Sequence, residues 1–181
     1  GGFWLREWER DTMETLAVDL TERGYANWNI EYRRLGNGGG WPGSGNDVRM
    51  AFDHAPLTGD HQIVVIGHSA GSHLALWAAE TLPAIQMIAL APVTDLASLA
   101  TTEGPGREPA RQLLDDGAPQ RSASAPEGTK FLHGAADDLV DVSHSRRLDN
   151  AVDVEIFQNL GHFDLLDPKQ AHWETVLGYL R

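Results

Sequence analysis

The sequence predicts a doubly wound, mostly parallel α/β sheet with helices on both faces, and three observations carry the prediction. Short runs of β-branched and apolar residues alternate with stretches of helical spacing along the chain. One of these runs, QIVVI at 62–66, is apolar from Ile63 onward, as a parallel strand covered on both faces requires. The 181 residues, 41% of them hydrophobic, suit one domain with a sizeable core, and neither an internal repeat nor a second domain shows.

The elements follow in order. In REWERDTMETLAVDLTER, residues 6–23, Trp8, Met13, Leu16, Ala17 and Leu20 have helical spacing, and Gly24 supplies a stop. YANWNIEYRR, 25–34, reads as a strand. LGNGGGWPGSGN is a glycine-rich loop, after which Asp47 opens a helix to about residue 55. The strand at 62–66 leads into a helix over about 71–81 and then the strand IQMIALA. Residues 97–126 hold most of the breakers and charges and form a cap-like excursion with one short helix near PARQLLDD. TKFLHG is a strand, SHSRRLDNA a helix, VDVEIFQ a strand, and 167–180 the closing helix.

Composition excludes several classes of function. Lys+Arg 14 against Asp+Glu 26 gives a net charge of −12, which disfavours nucleic acid and anionic membrane as partners. There are no cysteines, hence no disulfide, thiol catalysis or cysteine metal site. No apolar run approaches the roughly 20 residues that cross a bilayer. No signal peptide is visible, and a cytoplasmic location is expected. GNGGGWPGSG lacks the G-x-x-x-x-G-K-[ST] pattern of a phosphate-binding loop.

The sharpest motif is Gly67-His68-Ser69-Ala70-Gly71, a G-x-S-x-G pattern set between a buried strand and a helix. The pattern alone is weak, and its context gives it weight. A nucleophile at such a turn has a strained backbone and needs small neighbours, here Gly67, Ala70 and Gly71. The helix after Ser69 points N–H groups and the positive end of its dipole at the site. The bland alternative is a serine that merely caps the helix.

A serine hydroxyl needs a base, and the base an orienting carboxylate. In a parallel α/β sheet of this kind the chain order is serine, acid, histidine, each at the end of a later strand. TKFL ends in HGAADDLVD, which offers Asp137 and Asp138, and VEIFQ ends in NLGHFDLLD, which offers His162. Singly, a loop aspartate is usually a cap and a loop histidine usually solvated; the three candidates gain weight only together. The other histidines take the ordinary structural reading. His68 and His73 share no helix face, so neither a metal nor any other cofactor is expected.

Through GGFW, GHSAG, HGAADDLV and GHFDLLDP the chain resembles the α/β-hydrolase superfamily, particularly its small esterases and the kynurenine-formamidase-like branch. The resemblance spans nearly the whole chain. Its H-G-x-x-D pattern selects Asp137 over Asp138 as triad acid, with Ser69 as nucleophile and His162 as base. It also implies an oxyanion hole from the N–H groups of Ala70, Gly2 and Phe3, with Gly1 shaping the loop; one such donor typically contributes about 3 kcal/mol. That family usually opens with His-Gly-Gly-x-Trp after a central strand, and here both the histidine and the strand are missing. Such a gap would leave two rows of unpaired backbone groups between 25–32 and the strand ending at Ser69. The expected resolutions are a strand supplied by another chain, direct pairing of the two neighbours, or a chain that is a fragment; a homo-oligomer belongs to the same set.

The expected function is hydrolysis of a small-molecule carboxylic ester through an acyl-enzyme, without cofactor or metal. The excursion is too short for a large lid, which favours small acyl groups. Trp4, Trp41, His68 and Phe163 are the candidates for lining the substrate pocket. Two alternatives stand beside this reading: an amide hydrolase of formamidase or peptidase type using the same triad, and a hydrolase-like binding module without chemistry.

Overall fold

The computed structural model describes residues 1–55, 62–80, 85–122, 124–148 and 152–180. Four strands, β1 (Val64–His68), β2 (Gln86–Leu90), β3 (Thr129–Gly134) and β4 (Val152–Phe157), form one sheet in the order β1-β2-β3-β4, parallel throughout. Each crossover adds the next strand on the same side, the arrangement right-handed connections favour. The alternation of strand side chains divides the core. Ile88, Leu90 and Leu132 pack with Leu16 and Leu20 of α1 (Glu14–Glu22) and with Trp173, Val176 and Leu177 of α7 (Ala171–Tyr179). Met87, Ala89 and Phe131 pack with Ala75 and Leu76 of α3 (Ala70–Ala79) on the other face. Burying a Leu or Phe side chain contributes roughly 1.5–3 kcal/mol. This two-sided burial explains why the strands carry apolar runs instead of an alternating pattern.

The remaining helices differ from the expected bounds at their ends. α2 (Gly43–Asp53) starts inside the glycine-rich loop, and Asp47 is therefore not its cap; its carboxylate takes the Arg33 N–H and guanidinium, both at 2.8 Å. The excursion holds two helices, α4 (Leu96–Leu99) and α5 (Arg107–Asp115), and α6 (Ser143–Arg146) is a single turn. The first part of the expected helix over 6–23 is a 3-10 turn, Arg10–Met13, and that over 167–180 begins only at Ala171. Residue 81 and residues 149–151, ends of two expected helices, lie outside the described residues.

One element is corrected outright. Residues 25–34 form no strand, although their composition favours one. A strand needs a ladder partner more than it needs propensity, and β1 stands at one end of the sheet without pairing to this segment. Direct pairing of the two expected neighbours is thus not what the described residues show. The segment ends instead in a clamp on the first residues. Leu35 donates its N–H to the Trp4 carbonyl at 2.8 Å, and the Gly1 carbonyl accepts from Arg34 at 2.9 Å and Tyr32 at 3.2 Å. No helix among the described residues is long and apolar enough to cross a membrane.

Candidate active site

Ser69, Asp137 and His162 follow the carboxyl ends of β1, β3 and β4, so the sheet delivers all three to one edge. Ser69 has φ 55 and ψ −121 between β1 and α3. This is a costly conformation for a residue with a Cβ, about 1–3 kcal/mol. The local sequence allows it: a Cβ on Gly67 would stand 2.8 Å from Ser72 Cα, so the turn can close only with glycine there. Ala70 is the first residue of α3, and its N–H has no partner within the helix. Ser69 is buried, and its Oγ has no hydrogen-bond partner in the protein, His162 included. Such bonds are often long in unliganded sites.

Asp137 and His162 are joined. His162 Nδ1 lies 2.7 Å from Asp137 Oδ2, and both residues are largely shielded from solvent. Asp137 Oδ1 accepts the N–H groups of Leu139 and Val140, each at 2.9 Å, while Oδ2 also faces His133 Nε2 at 3.1 Å. Burial alone would raise this carboxyl, but the hydrogen bonds from His133 and His162, aided by the charge of His162 and the Val140 N–H, outweigh it. The group is held well below the usual carboxylate range. Asp138, the other sequence candidate, is exposed. The two loops are bound to each other: Ala135 donates to the Phe157 carbonyl at 2.8 Å and Ala136 to that of Leu160 at 3.0 Å.

The first residues lie against the Ser69 turn. A Cβ on Gly1 would be 2.9 Å from His68 Nδ1, and Phe3 and Trp4 both have positive φ, 51 and 60. Gly2 and Phe3 therefore sit in a strained turn beside the start of α3. His68 is 1% exposed, and its Nε2 lies 3.1 Å from the His162 carbonyl, so it spends its polarity on the base loop. Burial, and next the charge of His162, push the His68 ring well below its ordinary value.

The other three pocket candidates separate. Trp4 is fully buried in the core with its ring edge on His73, centroids 5.2 Å apart. Trp41 is half-buried and packs on Trp77. Phe163 is exposed and stands edge-on to His162. Trp8 is stacked on it at 5.4 Å, and lies outside the helix that its spacing predicted. His133 is likewise missed by sequence reasoning; its place at the head of H-G-x-x-D was the available signal. Among the described residues no group of three or more His, Asp or Glu side chains could hold a metal ion. An open groove of about 560 Å³ beside α1, lined by residues such as Asp11, Glu14 and Asn29, contains none of the three candidate catalytic residues.

The profile of the BD-FAE family matches residues 1–152, a span that includes Ser69 and Asp137 and stops short of His162. No curated protein matches the chain. Among solved structures it is similar to the esterase EaEST from Exiguobacterium antarcticum, with a TM-score of 0.67, 16% identity, and coverage of 97% of this chain and 89% of that one. It is similar also to esterase B from Lactobacillus Rhamnosis, TM-score 0.74, 20% identity, over 100% of this chain and 72% of that one. A third likeness is to MGS-M1, an α/β hydrolase from a Medee basin deep-sea metagenome library, TM-score 0.68, 19% identity, over 99% and 79%. At these identities the likenesses establish the fold.

Proposed function

Because the chain belongs to the BD-FAE family, within the α/β-hydrolase superfamily, we propose that it is a serine hydrolase that cleaves carboxylic esters of small acyl groups. The observation that carries the reading is the backbone of Ser69. A buried non-glycine residue at φ 55 between strand and helix, its hydroxyl without a protein hydrogen-bond partner, is the strained turn that a nucleophile of this pattern adopts.

In the proposed reaction Ser69 Oγ attacks the ester carbonyl carbon as its proton passes to His162 Nε2. Asp137 holds the proton on Nδ1 and stabilises the imidazolium that forms. The oxyanion is met by the N–H groups of Ala70 and the Gly2–Phe3 turn. His162 then gives its proton to the departing alkoxide, leaving an acyl-serine. A water attacks that acyl carbon, its proton passes through His162 to Ser69, and the carboxylic acid leaves. The preference for small acyl groups is supported by the excursion. Leu96, Leu99, Ala110 and Leu113 are buried in the same core cluster as Phe3 and Trp4, which anchors α4 and α5 to the body of the protein.

The test is a fluorophosphonate probe followed by mapping of the labelled residue. Labelling at Ser69 that disappears in His162→Ala is the expected result. A folded protein that takes no label refutes the reading. Turnover of short-chain and long-chain esters then fixes the acyl preference, and N-formyl and peptidyl amides serve as the comparison.

A further inference from the structure

The most heavily engaged polar side chain near the site that the proposed reaction does not use is His133, the last residue but one of β3. It is fully buried, with Nδ1 2.6 Å from Ser145 Oγ and Nε2 between the Val140 carbonyl at 2.9 Å and Asp137 Oδ2 at 3.1 Å. Both neighbours of Nε2 are acceptors only, so Nε2 carries the proton. In the neutral ring Nδ1 is then the acceptor and the Ser145 hydroxyl donates to it. The tautomer is thus set by partners on three sides, and its N–H is shared between a carbonyl and the carboxylate that His162 uses.

We propose that His133 is a positioning residue for the triad acid: held by Ser145 and Val140, its Nε2–H keeps Asp137 Oδ2 where His162 Nδ1 reaches it. This inference rests on the reading of Ser69, Asp137 and His162 as a triad. Without His133 the Leu139 and Val140 N–H groups still hold Oδ1, but Oδ2 is held by the base alone. The acid and the base would then turn together, and the direction of His162 toward Ser69 would depend on a single hydrogen bond. The alternative is that His133 is a buried ring already satisfied by Val140, with its approach to Asp137 incidental.

The sign of the effect on pH dependence separates the two. A donor withdrawn from Asp137 leaves its charge less stabilised, and the carboxylate then grips a protonated base more strongly. The proton that blocks catalysis is therefore retained to higher pH, and the acidic limb of the rate profile moves up. One hydrogen bond to a charged group corresponds to about one pH unit. The other titratable groups around this cluster are His68 at the end of β1, Asp141 before α6, His144 in α6, and Asp164 in the loop after β4. All four stay in place in the variants below.

The experiment compares wild type, His133→Phe, His133→Gln and Ser145→Ala. It reads the fluorophosphonate labelling rate against pH and the far-downfield proton resonance of the Asp137–His162 hydrogen bond. His133→Phe is expected to label about ten- to a hundredfold more slowly, the scale of a misplaced catalytic group. Its acidic limb should rise by about one pH unit and its downfield resonance should move. His133→Gln keeps an N–H donor and should return the limb to the wild-type position. Ser145→Ala releases the tautomer and should fall between, and it carries the test if the Phe variant does not fold. A limb and a resonance that stay in place in His133→Phe, or in Ser145→Ala where the former is unfolded, overturn the proposal. If wild type takes no label the proposed function fails, and the resonance, which needs no turnover, still decides the role of His133.

Discussion

On the β3–β4 side of the site both oxygens of Asp137 have protein donors and the acid and base loops are tied together through their backbones. On the β1 side, Ser69 Oγ, His68 Nδ1, His73 Nδ1 and Trp4 Nε1 are all buried without a protein hydrogen-bond partner. The same side holds the positive φ values of Phe3, Trp4 and Ser69. An unsatisfied buried polar group costs about 1–3 kcal/mol, and each strained residue a similar amount. One half of the site is thus built for rigidity and the other carries the strain. The division matches what each half is proposed to do. The acid and base must be oriented before any substrate arrives, whereas the nucleophile and the oxyanion donors must be open to atoms the protein does not own.

The most severe way to break the rigid half is Asp137→Asn. The amide would present N–H groups toward His133 and His162, both of which donate, and the base would be left in the wrong tautomer. Labelling of Ser69 should fall by about 10⁴-fold, with the exposed Asp138→Asn as an unaffected control. A loss under tenfold would mean that the tight hydrogen bonding around Asp137 serves the fold and not the chemistry.

A single methyl group tests each half in turn. A Cβ on Gly134 would lie 2.0 Å from the Leu160 carbonyl oxygen, and one on Gly67 would lie 2.8 Å from Ser72 Cα. Both obstacles are backbone, so neither can swing aside. Gly134→Ala should lower stability by about 3 kcal/mol in denaturant titration, at the upper end of overpacking effects, and Gly67→Ala by less. If the order were reversed, the nucleophile turn would be the stiffer of the two.

How far the sequence disclosed all this follows the same line. The strands that carry Asp137 and His162 were legible because β3 and β4 are apolar runs ending in distinctive loops, and local pattern sufficed. The strained turn at Ser69 was legible for the same reason, through Gly67 and Gly71 around it. What misled was the region whose conformation depends on distant partners. Residues 25–34 have strand composition, yet a strand is defined by its neighbour, and Arg34 and Tyr32 instead hold the Gly1 carbonyl. Trp4 looked like a pocket residue because a loop tryptophan can be either wall or anchor; only tertiary packing shows it fully buried. His133 was passed over because the H-G-x-x-D pattern was read only for its aspartate, and the contact of its ring with Asp137 shows only once the loop folds back.

The strained half should also yield stability when relieved. His73 lies between the rings of Trp4 and Trp41, and burial alone lowers its value from 6.5 to about 4. As pH falls below about 6.5 the unfolded chain takes up a proton that the native ring refuses until about 4. This group's share of stability is therefore complete above the unfolded value and lost across that window, roughly 3 kcal/mol in all. His144, on the other side of the site, is lowered to about 4 by burial first and then by Arg147, and it loses stability over the same range. His73→Phe should flatten the pH dependence of stability between pH 7.5 and 4.5 by about one proton and leave the slope from the other lowered rings, His68, His144 and His172. Urea titrations at several pH values provide the measurement, and an unchanged slope would show that the ring is hydrated in solution.

The smallest effect belongs to a contact that joins the two halves. Trp8 stacks on Phe163 of the base loop, and it also covers Gly2, where a Cβ would fall 2.1 Å from the Trp8 Cβ. Both rings of the stack stay substantially exposed, Trp8 at 37% and Phe163 at 44%, so they form an apolar rim beside His162 and not a part of the core. An aromatic pair contributes about 0.5–1.5 kcal/mol beyond the area it buries. Trp8→Ala should therefore raise KM for ester substrates by only a few-fold, through loss of a rim that meets substrate, and leave kcat near wild type. A fall in kcat at constant KM would carry a different meaning. It would show that the stack holds the Gly2 turn in register with the base loop, and that the strained half depends on the rigid one for its geometry.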